Sequence, residues 1–337
     1  MFRLGHCKAA NTGKIQPWLW LHADRSPINY KDLAFSMALS LPEPTFHTVQ
    51  VQDATLAYFE WQTALRGIQP TVLLVHATGF HARVWDQVVA HLPGRHVIAV
   101  EQRGHGRSAP VPFDSWEDFG RDLAGFAQVL TLRGTTGVGH SMGAHALVQA
   151  AALQAPGFNH LVLVDPVIRE PAAYQVPPAT DPRRSEGDQL HPAAGRKNHF
   201  ESAQAMQQRF ESRPPYAIFD PQALRDYCIH GLRPADDGKG FVLCCAPQFE
   251  GKIYSTARQN PNTYSFVRAL QIPVTVVRAR AMDPSIQPFD PLGSPTWPGL
   301  AREFKQGIDV PLADKTHLLP MEDPALMARL ILEYERA

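Results

Sequence analysis

From about residue 45 onward, apolar positions follow two rhythms. In His47-Thr48-Val49-Gln50-Val51 and Ala54-Thr55-Leu56-Ala57-Tyr58-Phe59 they partly alternate around Gln52-Asp53, which predicts two half-buried strands joined as a hairpin. In Thr71-Val72-Leu73-Leu74-Val75, Val97-Ile98-Ala99-Val100 and Leu161-Val162-Leu163-Val164 they run almost unbroken, as parallel strands covered on both faces do. Thr135 to Val138 reads as a further strand. Between these runs the period is helical. Arg83 to Leu92 forms one segment, and Phe119, Leu123, Phe126 and Leu130 form another, behind Ser115 as N-cap and Asp118 in the first turn.

The rhythm breaks after Asp165-Pro166. Residues 167–270 are richer in Pro, Arg and Gln and show few buried strand runs. One helix there is well marked, with Asp220 as N-cap, Pro221 at the first position and Gly231 past its end. Strand character returns at Pro273 to Val277 and near Ile308-Asp309-Val310, and a closing helix begins at Asp323-Pro324. Strand and helix in alternation predict an α/β fold with a doubly wound, mostly parallel sheet. The core is expected over 45–166 and 271–337, with a mainly helical cap, 167–270, inserted after the sixth strand. Residues 1–44 are expected to be an extension without stable order, and Met37 is an alternative translation start.

Composition narrows the classes. The 337 residues carry 32 basic and 32 acidic side chains, so no net field draws the chain to nucleic acid or anionic membranes. No run approaches the roughly 20 apolar residues of a membrane span. The four cysteines, Cys7, Cys228, Cys244 and Cys245, form no disulfide framework and are expected to be reduced, in a cytoplasmic protein. Oligomeric state is left open.

The chemistry is concentrated in Gly139-His140-Ser141-Met142-Gly143, which fits G-x-S-x-G between a predicted strand and a small-residue helix, Ala144 to Val148. A turn this sharp lifts the serine Oγ clear of the sheet, and glycines flank it because a Cβ would strike neighbouring backbone. The same pentapeptide could be a purely structural turn, but its strand-to-helix context favours Ser141 as nucleophile. The backbone N–H of Met142, at the helix N-terminus, and that of Thr78, in His76-Ala77-Thr78-Gly79-Phe80, are the expected oxyanion donors. His317, in the loop before the closing helix, is the expected base among fifteen histidines. His76 and His105 are read as loop-shaping residues. His191, His199 and His230 lack metal-ligand spacing and are read as surface histidines. For the acid that orients the base, Asp283 is the first choice as the nearest carboxylate after the strand at 274–277. Asp290 is the alternative, and Asp165 a third candidate.

The ordered set His76-Ala77-Thr78-Gly79-Phe80, Arg103-Gly104-His105-Gly106-Arg107-Ser108, Gly139-His140-Ser141-Met142-Gly143 and Thr316-His317 resembles the α/β-hydrolase superfamily. Within it, the chain is similar to the lidded esterase, haloperoxidase and C–C hydrolase branch, over about residues 45–337. Ala77 departs from the commoner glycine, and Lys315-Thr316 from the usual small residues before the base. The resemblance implies a Ser-His-Asp triad with no cofactor and no metal, acting on a small-molecule ester. Haloalkane dehalogenases and epoxide hydrolases of this fold use an aspartate where Ser141 stands, so an acyl-serine route is expected. A C–C hydrolase or cofactor-free perhydrolase would use the same triad. A small-molecule sensor with little turnover is the alternative of another class.

Overall fold

The computed structural model of the chain describes residues 43–175, 191–257, 259–286 and 290–335. Residues 1–42, which hold most of the expected N-terminal extension together with Cys7 and Met37, lie outside the described residues.

The chain opens with a hairpin of β1 (Thr45–Val51) and β2 (Ala54–Trp61), where Val51 pairs with Ala54 across Gln52-Asp53. It continues through β3 (Thr71–Val75), α1 (Asp86–Ala90), β4 (His96–Val100), α2 (Glu117–Val129), β5 (Thr135–His140), α3 (Met142–Leu153) and β6 (Phe158–Val164). Next come β7 (His199–Phe200), α4 (Ala203–Phe210), α5 (Pro221–His230), β8 (Leu232–Pro234), β9 (Phe241–Leu243), α6 (Pro247–Thr256) and α7 (Thr263–Ala269). The chain then returns through β10 (Val274–Arg278), β11 (Gly307–Pro311), α8 (Leu319–Glu322) and α9 (Pro324–Tyr334).

Eight of these strands form one sheet in the order β1-β2-β4-β3-β5-β6-β10-β11. β2 runs antiparallel to both of its neighbours, β1 and β4, and the other pairs are parallel. The apolar runs explain themselves here. Along β3, Leu73 and Val75 enter the core on one face with Phe119, Phe126 and Leu147, while Val72 and Leu74 enter the other with Trp85, Val88 and Ile331. A strand covered on both faces needs apolar residues at every position. Because β3, β5, β6, β10 and β11 are parallel, their carboxyl ends share one edge, where ligands bind in open α/β sheets.

Several element boundaries differ from expectation. Arg83 to Leu92 is a 3-10 turn, Ala82–Trp85, followed by the short α1. The helix after Ser115 starts at Glu117, and Ser115 Oγ accepts the Glu117 N–H at 3.2 Å. Asp220 caps α5 as expected, accepting from the N–H groups of Gln222 and Ala223 at 2.8 and 3.1 Å. The inserted segment also contains a small antiparallel sheet, β7-β9-β8. Its strands are two or three residues long and partly exposed, too short to leave an apolar run in the sequence. α7 packs back on the main body, where His145 Nε2 meets Thr263 Oγ1 at 3.1 Å. Cys228, Cys244 and Cys245 are free thiols, and no helix of the described residues is long and apolar enough to cross a membrane.

Leu73 is fully buried at the centre of the sheet. Leu73→Ala is expected to lower stability by about 2–5 kcal/mol, read from urea denaturation midpoints. A loss under about 1 kcal/mol would contradict this packing.

Candidate active site

The turn between β5 and α3 is built by exclusion. A Cβ on Gly139 would lie 2.5 Å from Ala144 Cα, and one on Gly143 would lie 2.3 Å from the His76 carbonyl oxygen. Only glycine lets the start of α3 pass this close to the ends of β3 and β5. Ser141 between them takes φ 57° and ψ −118°, a strained conformation of the kind that costs about 1–3 kcal/mol. Its N–H donates to Val164 O at 2.9 Å, and its carbonyl accepts from Val167 N–H at 3.3 Å, so the end of β6 braces the turn.

His317 arrives from the loop after β11. Its Nε2 faces Ser141 Oγ at 3.1 Å, and its Nδ1 faces Asp165 Oδ2 at 2.7 Å. Nδ1–H donates to the carboxylate, which leaves Nε2 with a lone pair for the serine hydroxyl proton. The backbone holds the residue as well: His317 N–H donates to Leu292 O at 2.9 Å, and His140 Nε2–H donates to the His317 carbonyl at 2.7 Å. Burial above all, with the neighbouring His317 ring, pushes the His140 pKa down to about 3, so the clamping ring is neutral.

The carboxylate beside His317 is Asp165, and this corrects the first choice and its alternative. Asp283 is exposed, and its Oδ1 accepts from Ser285 N–H at 2.9 Å and Ser285 Oγ at 2.7 Å. Asp290 is buried but turned into its own loop, accepting from Arg280 Nη1 at 2.8 Å and from the N–H groups of Asp283 and Leu292 at 3.0 Å. The loop after β10 supplies hydroxyls instead of the acid. Asp165 Oδ1 accepts from the hydroxyls of Ser294 and Thr296, the latter at 3.1 Å, and from Ala279 N–H at 3.3 Å. Burial pushes the Asp165 carboxyl up, but His317, Ser294 and the Ala279 N–H outweigh it and hold the pKa below the ordinary value. A carboxyl depressed in this way stabilises the fold above about pH 4, and the contribution is lost as pH falls through its folded-state pKa.

Thr78 and Met142 are buried, and among the described residues neither backbone N–H donates to a protein acceptor. Two histidines hold the Thr78 loop. His76 Nδ1–H donates to Ala77 O at 2.8 Å, and its Nε2 accepts from Gln102 N–H at 3.1 Å. His105 Nε2 accepts from Gly79 N–H at 3.0 Å. His191 and His199 are exposed and His230 is half-buried. No cluster of three or more His, Cys, Asp or Glu side chains among the described residues is placed to hold a metal. A surface cavity lined by Tyr174, Pro261, Tyr264 and Arg268 shares no residue with Ser141, His317 and Asp165.

Sequence reasoning missed His140, Ser294 and Thr296. His140 could have been suspected from its place inside the motif. Nothing local marks the two hydroxyl residues, whose partner lies more than a hundred positions away.

The profile described as "Alpha/beta hydrolase family" matches residues 72–330. A 2-(acetamidomethylene)succinate hydrolase of Mesorhizobium japonicum is 31% identical over 178 residues, 51% of this chain and 58% of that protein. The match therefore spans less than two thirds of that relative's length. An esterase of Mycobacterium tuberculosis is 27% identical over 237 residues, 68% of this chain and 71% of its own. The crystal structure of E-2-(acetamidomethylene)succinate hydrolase is similar in fold, with a TM-score of 0.65 and 22% identity over 87% of this chain and 100% of that one.

Asp165→Asn is expected to lower kcat/KM for p-nitrophenyl acetate by about a thousand- to ten-thousandfold, with Asp283→Ala retaining the wild-type value. The reverse ranking in steady-state assays would return the acid to the loop after β10.

Proposed function

The chain belongs to the alpha/beta hydrolase family, and on that footing we propose that it is a serine hydrolase cleaving small to medium carboxylic esters through an acyl-serine intermediate. The reading is carried by the line from Ser141 Oγ through His317 to Asp165, with contacts of 3.1 and 2.7 Å.

Ser141 Oγ attacks the ester carbonyl carbon while its proton passes to His317 Nε2. The carbonyl oxygen, now an oxyanion, takes the N–H groups of Thr78 and Met142, each contributing about 3 kcal/mol of transition-state stabilisation. Asp165 stabilises the imidazolium without itself taking the proton. His317 then gives the proton to the departing alkoxide as the carbon–oxygen bond breaks. In the second half, water loses a proton to His317 and attacks the acyl carbon. Ser141 leaves with that proton, and the acid is released.

A second reading, hydrolysis of a C–C or amide-type bond by the same residues, is favoured by the relative named 2-(acetamidomethylene)succinate hydrolase. Fold alone does not choose between them.

p-Nitrophenyl esters of graded acyl length test the proposal. Wild type is expected to turn over at least one of them, with Ser141→Ala reduced at least about a thousandfold. Undiminished turnover in Ser141→Ala would overturn it. Tight ligand binding without turnover at any length would assign the chain to sensing instead.

A further inference from the structure

A part-buried polar cluster in the inserted segment lies against the loop that carries Thr78. Arg196 Nη1 donates to Glu250 Oε2 at 2.9 Å, and Nη2 donates to the hydroxyls of Tyr216 and Tyr227 at 3.0 and 3.1 Å. The arginine is fixed in place by the turn Pro192–Gly195, which rests on α6 so closely that a Cβ on Gly251 would meet Ala194 Cβ at 2.7 Å. Glu250 abuts Gly79, where an added Cβ would come 2.7 Å from its Oε1. The Tyr227 ring lies 5.3 Å from that of Phe80, which in turn lies 6.3 Å from His140. The cluster therefore borders Gly79 and Phe80, the two residues that follow Thr78, and reaches through Phe80 toward His140, the neighbour of Ser141.

Its hydrogen bonding is unbalanced. A guanidinium carries five N–H groups, of which three have acceptors among the described residues. Both phenol oxygens accept from Arg196, so each phenol proton must find another partner. Even if one phenol serves the other, one proton remains. Burial holds the Tyr227 hydroxyl well above its usual pKa, and hence protonated. Tyr227 is buried while Arg196 and Tyr216 are partly exposed, so the unused donors are open to a ligand or to water. A bracing role explains the cluster poorly, because a buried ion pair is commonly no better for stability than apolar side chains of the same size.

We propose that Arg196, Tyr216 and Tyr227 form an anchor for a carboxylate on the substrate, making the preferred ester one that carries a negative charge away from the scissile carbonyl. The arrangement supplies planar donors to a planar oxyanion. Glu250 offsets much of the Arg196 charge, so an anion is held mainly by the remaining N–H and O–H donors, and a singly charged carboxylate fits better than a phosphate dianion. The proposal rests on the serine hydrolase reading of the same site.

Two substrate pairs test it: p-nitrophenyl hemisuccinate against p-nitrophenyl butyrate, and 4-acetoxybenzoate against phenyl acetate. In at least one pair, wild type is expected to favour the anionic ester at least tenfold in kcat/KM, mainly through KM. Arg196→Gln is expected to abolish that preference, Arg196→Lys to restore part of it, and Tyr227→Phe to reduce it severalfold. Lys197→Gln, which removes an exposed neighbouring cation, is expected to keep the wild-type ratio. If Arg196→Gln does not fold, Tyr227→Phe decides, since it keeps the ring and loses only the hydroxyl. Absence of preference in both pairs, or a preference that survives in these variants, overturns the anchor while Ser141-dependent turnover leaves the hydrolase intact. Failure of Ser141-dependent turnover itself would instead remove the reading beneath it.

Discussion

The imidazole of His317 has to present a lone pair to one side chain while donating a proton to another. With Asp165 Oδ2 at 2.7 Å from Nδ1, the proton stays on that nitrogen, and Nε2 is left free to receive the hydroxyl of Ser141. The rest of the local structure serves this one orientation. His140 grips the His317 carbonyl, Leu292 takes its N–H, and two hydroxyls and a backbone N–H hold Asp165. Hydrogen bonds to a charged group contribute about 1.5–3 kcal/mol each, enough to keep the buried carboxylate ionised and its partner aimed.

The fold brings these pieces together because its parallel strands end at one edge. β5 delivers the serine, β6 the acid, and the loop after β11 the base, so residues as distant as 141 and 317 meet without any long excursion of the chain. Close packing exacts its conditions at the serine turn. Gly139 and Gly143 are irreplaceable there because neighbouring backbone occupies the space a side chain would need.

Much of this was legible in the sequence. The strand runs at 71–75, 97–100 and 161–164 and the cap at Asp220 are consequences of local burial and local hydrogen bonding, so local pattern reveals them. The motif around Ser141 and the late position of His317 are likewise readable. The acid was not, because the choice among Asp165, Asp283 and Asp290 depends on where the loop after β10 folds. That loop spends Asp283 and Asp290 on its own turns and turns Ser294 and Thr296 toward the end of β6. The small sheet of the inserted segment was equally hidden, since strands of two or three residues carry too few side chains to set a period. The tyrosines around Arg196 are marked only by type in the sequence; their convergence is a tertiary fact.

The central claim is that the hydroxyl of Ser141 is made nucleophilic by His317. It is tested most directly by labelling the native protein with a fluorophosphonate and mapping the adduct by peptide mass spectrometry. The account predicts a single adduct on the peptide containing Ser141, formed at a rate that collapses in His317→Ala. An adduct on another residue, or labelling of Ser141 at an unchanged rate without the imidazole, would contradict it.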